Sequence, residues 1–305
     1  MVRGIIVTGP TASGKTRLAV SLARKFDGEV VSADSRQVYR GLDIGTGKDL
    51  GEYGEGDRKI PVHLIDVAGP MEEYNLARFL DDAWKAVAEI AERGRVPIVC
   101  GGSPLYVHAL VAGYDLPDVE PDHRLRAEME KLDLEKLVEV LERERPDFAA
   151  GFGDKANKRR VIRAIEAGRF GGSAAEGRRN PRGDVAWLCL ATQVRREDLW
   201  KRIEARLDER LNAGMIEEVE ALRESGVSWE RLDSLGLEYR FVSMFLKGDI
   251  PKREMREKLF IAIRRFAKRQ ETWFRKMERE GMVLRRVAPD DFDKAERLAE
   301  NFLTP

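Results

Sequence analysis

Cysteine and histidine are scarce in this chain, with two of the first and three of the second among 305 residues. Cys100 and Cys189 each sit inside an apolar run, where a thiol packs as a small core side chain, so neither a disulfide nor a metal site is expected of them. His63, His108 and His123 share no ligand spacing, and no His/Cys zinc centre is expected. Net charge is also missing, since 54 Lys and Arg balance 54 Asp and Glu. No apolar run approaches the roughly 18–20 residues of a transmembrane helix, and no signal peptide precedes the strand-like stretch Gly4 to Thr8, so a cytoplasmic location without membrane contact is expected. A content of 43% hydrophobic and 35% charged residues is that of a globular protein and excludes disorder. At about 100–200 residues per domain, the length predicts one large domain with an insertion, or two domains.

Short apolar runs alternate with amphipathic ones over the first hundred residues, which predicts a parallel sheet flanked by helices. Candidate strands are Gly4 to Thr8, Glu29 to Ser32, Val62 to Val67 and Val96 to Cys100. Leu18, Ala19, Leu22, Ala23 and Phe26 repeat at helical spacing, as do Leu76, Phe79, Leu80, Ala83, Trp84, Val87 and Ile90. From Asp122 to about Arg169 the pattern is helical and charged without strand runs, an expected helical insertion. The Gly/Ser/Arg-rich stretch Gly171 to Gly183 reads as a mobile loop, and Val185 to Ala191 as a strand returning to the sheet. The rest reads as helical. The expected organisation is a first core segment over 1–117, a helical insertion over 118–183, and a return to the core with basic helices over 184–305.

Gly9-Pro-Thr-Ala-Ser-Gly14-Lys15-Thr16 satisfies the P-loop pattern and lies between an apolar strand and an amphipathic helix, as the motif requires. Its glycines let the backbone form a nest of N–H donors at a helix N-terminus, Lys15 adds a point charge, and the Thr16 hydroxyl suits a magnesium ligand. This pattern implies a polyphosphate site, of which ATP is one possible occupant. Ser32-Ala-Asp34-Ser35-Arg36-Gln37 follows the second candidate strand, and ligands of parallel sheets bind beyond strand carboxyl ends, so Asp34 is expected beside the loop. There it suits a magnesium ligand or the acceptor of a proton or hydrogen bond, with helix capping as the competing use. Gly101-Gly102-Ser103 reaches the same edge, where Ser103 is either a capping residue or a hydroxyl in the site.

Charge is unevenly spread despite its zero sum. Pro251 to Lys276 holds ten basic residues against three acidic ones, on a helix with an apolar face of Leu259, Ile263, Phe266, Ala267 and Phe274. Lys155 to Arg169 holds six against one. Two basic helices in a neutral chain favour a polyanionic macromolecule over a merely solvated face.

The motifs GPTASGKT, SADSRQVYRGLDIGTGK, HLIDV, GGSPLY, RAIE at 163 to 166, RIEARLDERLNAGMIEEVEAL at 202 to 222 and AKRQETWFRK at 267 to 276 resemble, in the same order, those of the tRNA dimethylallyltransferase (tRNA isopentenyltransferase) family. The similarity spans about nine tenths of the chain. It implies an α/β fold with a P-loop NTPase-like parallel sheet and an inserted, mainly helical domain. It also implies transfer of a dimethylallyl group from dimethylallyl diphosphate to an adenine amine beside the anticodon of tRNA, with magnesium required and a monomer expected. By resemblance, Gly9, Thr11, Ala12, Ser13, Gly14, Lys15 and Thr16 hold the donor diphosphate, with Arg202 and Arg206 near it and Thr16 on the metal. Asp34 is the implied general base, and Ser103, where the family usually has Thr, lies at the reacting base. Asp34, Ser35, Arg36, Gln37, Ser103, Arg124, Arg160, Arg163 and the run Lys268, Arg269, Gln270, Glu271, Thr272, Trp273, Phe274 and Arg275 are implied to face tRNA. Adenylate isopentenyltransferases, which use free nucleotide, and P-loop kinases are the competing readings. The chain departs from the family at Gly47, in a segment usually GTAKP, at Asn157, where Asp is usual, and over Gly236 to Arg240, where GYKE or GYRQ is usual.

Overall fold

The computed structural model describes residues 1–56, 59–116, 122–153, 155–169, 178–179 and 184–304. Eight strands are described: β1 (Val2–Thr8), β2 (Gly28–Ser32), β3 (Val62–His63), β4 (Val96–Gly101), β5 (Tyr114–Asp115), β6 (Arg178–Arg179), β7 (Val185–Thr192) and β8 (Leu284–Val287). The helices are α1 (Lys15–Lys25), α2 (Leu76–Glu92), α3 (Pro104–Ala112), α4 (His123–Met129), α5 (Leu134–Glu144), α6 (Pro146–Gly151), α7 (Lys158–Arg169), α8 (Arg196–Asn212), α9 (Met215–Glu224), α10 (Trp229–Leu235), α11 (Leu237–Leu246), α12 (Lys252–Arg279) and α13 (Phe292–Leu303). Two compact units form, one from Met1–Val111 with Arg182–Pro305 and one from Ala112–Pro181.

In the first unit six parallel strands take the order β3-β2-β4-β1-β7-β8. Ile5, Ile6 and Val7 of β1 are wholly buried, as expected of a central strand covered on both faces, and this is why β1, β4 and β7 read as continuous apolar runs. The registers Thr8↔Gly101 and Ser32↔Cys100 end three strands at one level. Residues following β1, β2 and β4 therefore meet at one edge of the sheet, which places the glycine loop, Asp34 and Ser103 together.

Four strands differ from expectation, among them β5 and β6, an antiparallel pair whose second member falls inside the stretch read as a loop. The run from Val62 to Val67 yields a strand of only Val62–His63, because Leu64 and Asp66 take positive φ and Asp66 turns its carboxylate to the buried ammonium of Lys48. β8 forms in a segment read as helical: Leu284 and Val287 are buried, while Arg285 and Arg286 between them carry no strand signature.

The second unit packs α4, α5, α6 and α7 around Leu125, Leu137, Leu141, Phe152, Val161 and Ile165. Its charge centre is Glu166, wholly buried, which accepts a bidentate pair from Arg126 at 3.0 and 2.9 Å, the Asp122 N–H at 2.6 Å and a bond from Arg163. A carboxylate buried this deeply needs such partners. Asn157 accepts from the Arg160 N–H at 3.3 Å, so the amide oxygen serves as a cap where Asp is usual. The expected loop over 171–183 lies, apart from residues 178–179, outside the described residues, as does the chain on either side of the expected boundary after residue 117.

Candidate active site

The loop between β1 and α1 takes its shape from three residues with positive φ, Gly9 (152°), Ala12 (59°) and Gly14 (80°). Gly9 has no alternative here, since a Cβ would lie 2.0 Å from Thr192 Oγ1. Ser13 is buried and its hydroxyl is used internally, 2.7 Å from the Pro10 carbonyl and 2.6 Å from Thr192 Oγ1. Lys15 Nζ donates to the Pro10 carbonyl at 3.0 Å. Burial lowers its pKa from the ordinary lysine value, and Arg206 acts in the same direction, against Cys100, Asp34 and Glu52. Burial pushes the neighbouring Cys100 thiol up to about 12, so it stays protonated at neutral pH.

Asp34 is half-buried beyond β2 and its Oδ1 accepts from the Arg36 N–H at 2.9 Å. Ser103 Oγ accepts from the Ser35 N–H at 3.0 Å, which ties the turns after β2 and β4 together. Close approach of those turns requires Gly101, whose Cβ would sit 2.1 Å from the Ala33 carbonyl oxygen. Gln37 holds the next segment, donating to the Gly47 carbonyl at 3.0 Å and accepting from Ser32 at 3.3 Å.

Two cavities adjoin at this edge. The larger, about 760 Å³, is lined by residues 12–16, the 43–52 segment and the α8 side chains Arg202, Arg206 and Arg210. The smaller, about 480 Å³, is lined by Thr11, Asp34 to Gln37, Ser103, Tyr106, residues 235–240, Phe266, Arg269 and Gln270. Lys15, Thr16, Gly47, Arg206 and Arg210 line both. The 43–48 segment is anchored by Glu218, whose carboxylate accepts from the N–H groups of Asp43 (2.8 Å), Ile44 (2.6 Å) and Gly45 (3.0 Å) and from the Tyr239 hydroxyl (2.8 Å). Lys48 closes it from below through the Tyr39 carbonyl at 2.8 Å, Asp43 at 2.5 Å and Asp66. Gly236 forms the extended break between α10 and α11 that delivers Tyr239 to Glu218.

The run on α12 does not act as one surface, because a helix turning about 100° per residue presents it to different surroundings. Lys268, Arg269, Thr272 and Arg275 are exposed, and Trp273 is half-buried beneath the Lys276 ammonium, 4.8 Å from its ring. Glu271, also half-buried, pairs with Arg286 at 3.0 Å. The expectation that Phe274 faces tRNA is corrected. Phe274 is 0% exposed in the core. Gln270 is 3% exposed and its amide is spent within the protein, accepting from the Thr11 N–H at 2.9 Å and donating to the Gly102 carbonyl at 2.5 Å. Phe266, on the apolar face with buried Leu259, Ile263, Ala267 and Phe274, is 37% exposed beside Arg269. In the second unit Arg124 is exposed and Arg163 is bound to Glu166.

Among the described residues no group of three or more His, Cys, Asp or Glu side chains could hold a metal alone. Around the cradle the oxygen donors include the Thr16 hydroxyl with Asp49, Glu52 and Glu209 on one side and Asp34 on the other, while Asp43 is paired with Lys48. Hard oxygen donors too few for a cage suit magnesium that arrives with phosphate and keeps its waters.

A parallel sheet carrying a glycine cradle at its carboxyl edge defines a P-loop protein. A family model described as IPP transferase matches residues 37–277, and one described as isopentenyl transferase matches residues 3–69. The chain belongs to the IPP transferase family. Relatives include tRNA dimethylallyltransferase 1 of Syntrophus aciditrophicus, 45% identical over 95% of this chain and 94% of that protein. Another is tRNA dimethylallyltransferase 2 of Pelobacter propionicus, 46% identical over 92% and 88%. The crystal structure of a tRNA isopentenylpyrophosphate transferase from Bacillus halodurans is similar at 33% identity with a TM-score of 0.68, covering 99% of this chain and 95% of that one. A eukaryotic dimethylallyltransferase acting on tRNA shares the fold at 24% identity and a TM-score of 0.75, covering 99% and 77%.

Sequence reasoning missed the support beneath the site: Glu218, Lys48 and the Gln270 staple. It also passed over Arg210, although Arg202, Arg206 and Arg210 stand four residues apart on α8, a spacing that puts them along one face.

Proposed function

We propose that the protein transfers a dimethylallyl group from dimethylallyl diphosphate to the exocyclic amine of the adenine 3′ to the anticodon in tRNAs that read codons beginning with U. The supporting observation is that Lys15 and Thr16 line both a phosphate cradle and a second cavity bearing Asp34 and Ser103. A donor diphosphate in the first and an adenine in the second bring the reacting carbon and nitrogen to the shared wall.

Breaking the C–O bond leaves its electron pair on diphosphate while an allylic cation develops. Loop N–H groups, Lys15, Arg202 and Arg206 are placed to balance that charge as it grows. Thr16 would hold a magnesium ion, which would supply Lewis-acid stabilisation of the same leaving group. Asp34 orients the adenine amine and accepts its proton as nitrogen bonds to carbon, with Ser103 holding the base beside it.

The adenine must leave the anticodon loop to reach this cavity, at a cost of a few kcal/mol that backbone contacts offset. Lys268, Arg269 and Arg275 on α12 and Arg124, Arg160 and Arg163 in the helical unit serve as those contacts on the anticodon stem and loop. An exposed basic helix of this length favours RNA over a free nucleotide as acceptor. The protein works as a monomer in the cytoplasm. Among the described residues no helix is long and apolar enough to cross a membrane.

Purified protein with labelled dimethylallyl diphosphate, magnesium and unmodified tRNA tests this reading. Label is expected in prenylated adenine of tRNA and not in AMP, and Asp34→Ala is expected to lose most turnover while folding normally. Transfer to AMP in preference to tRNA, or phosphate transfer from ATP without prenyl transfer, would overturn it.

A further inference from the structure

Arg210 is the cavity-lining guanidinium on α8 to which the reading above gives no work. It lines both cavities with its side chain only 14% exposed. The protein serves it poorly: Nη1 reaches the Gly45 carbonyl at 3.3 Å, Glu238 stands 3.6 Å away, and the buried Nε has no partner. A buried donor left unpaired is destabilising, so folding alone does not explain its position. Arg206 adds like charge beside it, and Arg206 itself reaches the Gly47 carbonyl at 3.4 Å and pairs with Asp49.

Gly47 admits this crowding. Its φ is +60°, and a Cβ there would lie 1.6 Å from Arg210 Nη2 and 2.7 Å from Arg206 Nη2. Any side chain at 47 would push the Arg210 fork aside. Two adjacent guanidiniums, one with a buried N–H to spare, form a site for a group of high negative charge. Arginine matches paired phosphate oxygens through two parallel N–H donors, which a lysine ammonium does not reproduce.

We propose that Arg210 is a diphosphate-binding residue that clamps the leaving group together with Arg206, and that Gly47 is the gap through which its fork enters. The assignment rests on the prenyl-donor reading for the identity of the ligand. As the C–O bond breaks, its electron pair passes to the diphosphate, and the clamp favours that more negative state over the intact donor.

Calorimetric titration of inorganic diphosphate with magnesium into the full chain and its variants tests this, beside donor kinetics on tRNA. Arg210→Met, neutral and of similar length, is expected to weaken diphosphate binding about tenfold. Arg210→Lys should recover only part of the loss, and KM for tRNA should stay within about threefold. Gly47→Ala should weaken binding similarly by displacing the fork, and the double variant should be no worse than the weaker single, since both remove one contact. Diphosphate affinity within about twofold of the parent in Arg210→Met, or additive losses in the double variant, overturns the proposal. If Arg210→Met does not fold, Arg210→Lys and Gly47→Ala carry the test, and unchanged affinity in both overturns it. A parent that binds diphosphate yet moves no prenyl group to tRNA refutes the function and leaves the clamp standing. A parent that transfers while Arg210→Met binds diphosphate normally refutes the clamp alone.

Discussion

Residues 12–16 and 43–48 line the same cavity, yet the two segments are held by different means. The glycine loop bends through its own residues, and its first internal bonds, Ser13 and Lys15 to Pro10, span three and five positions. The opposing segment offers backbone N–H groups whose acceptor is Glu218, up to 175 positions away. One segment carries its bend in eight consecutive letters, with Thr192 and Gln270 as props from outside. The other is a row of donors that becomes a wall when α9 supplies a carboxylate.

The contrast can be broken at several points. The largest effect is expected from Lys15→Ala, which should lower kcat/KM for the donor by about 10³-fold, as loss of a charge-stabilising donor does; steady-state transfer kinetics measure it. Glu29, at the opposite end of the sheet, gives the next. Burial would raise its pKa, but hydrogen bonds from Arg93, His63 and Arg95 outweigh burial and bring it to about 2 from 4.5. A carboxylate depressed in the folded state stabilises above its unfolded pKa, and that contribution is lost as pH falls through the folded one. Stability should therefore drop by about 3 kcal/mol between pH 5 and pH 2, with less pH dependence in Glu29→Gln, followed by denaturant titration.

Glu218→Gln sharpens the contrast directly. It should cost about 2 kcal/mol and remove hydrogen-exchange protection at 43–45 while leaving that of 9–16 intact. Lys268→Ala should weaken tRNA binding by only a few fold and reduce the salt slope by about one, read from titrations at several salt concentrations. Gly51→Ala, where an added Cβ meets nothing within 4 Å, should change stability by no more than about 0.5 kcal/mol, as a melting curve will show.

The same contrast explains what could be read in advance. β1, β4 and β7 were legible because strands covered on both faces are continuous apolar runs, and the cradle because its glycines have fixed positions in the chain. β3 was overestimated because Lys48, a residue outside the run, draws Asp66 out of strand geometry. β8 was missed because Arg286 spends its charge on Glu278 and Glu271, a pairing that the four letters LRRV do not announce. The meeting of Asp34 with Ser103 followed from the rule for strand ends. The work of Gln270 did not, since a glutamine on a basic helix looks like its solvated neighbours until both of its partners are known.

That glutamine has a mechanical consequence. Its amide grips the start of the phosphate loop and the turn after β4 from the inner side of α12, while Lys268 and Arg269, two residues and one residue earlier, stand outside in water. Any load placed on the outer row is borne within a single turn by the two loops that frame the reaction. Through that one side chain the rod joins its exposed basic row to both loops at the edge of the sheet.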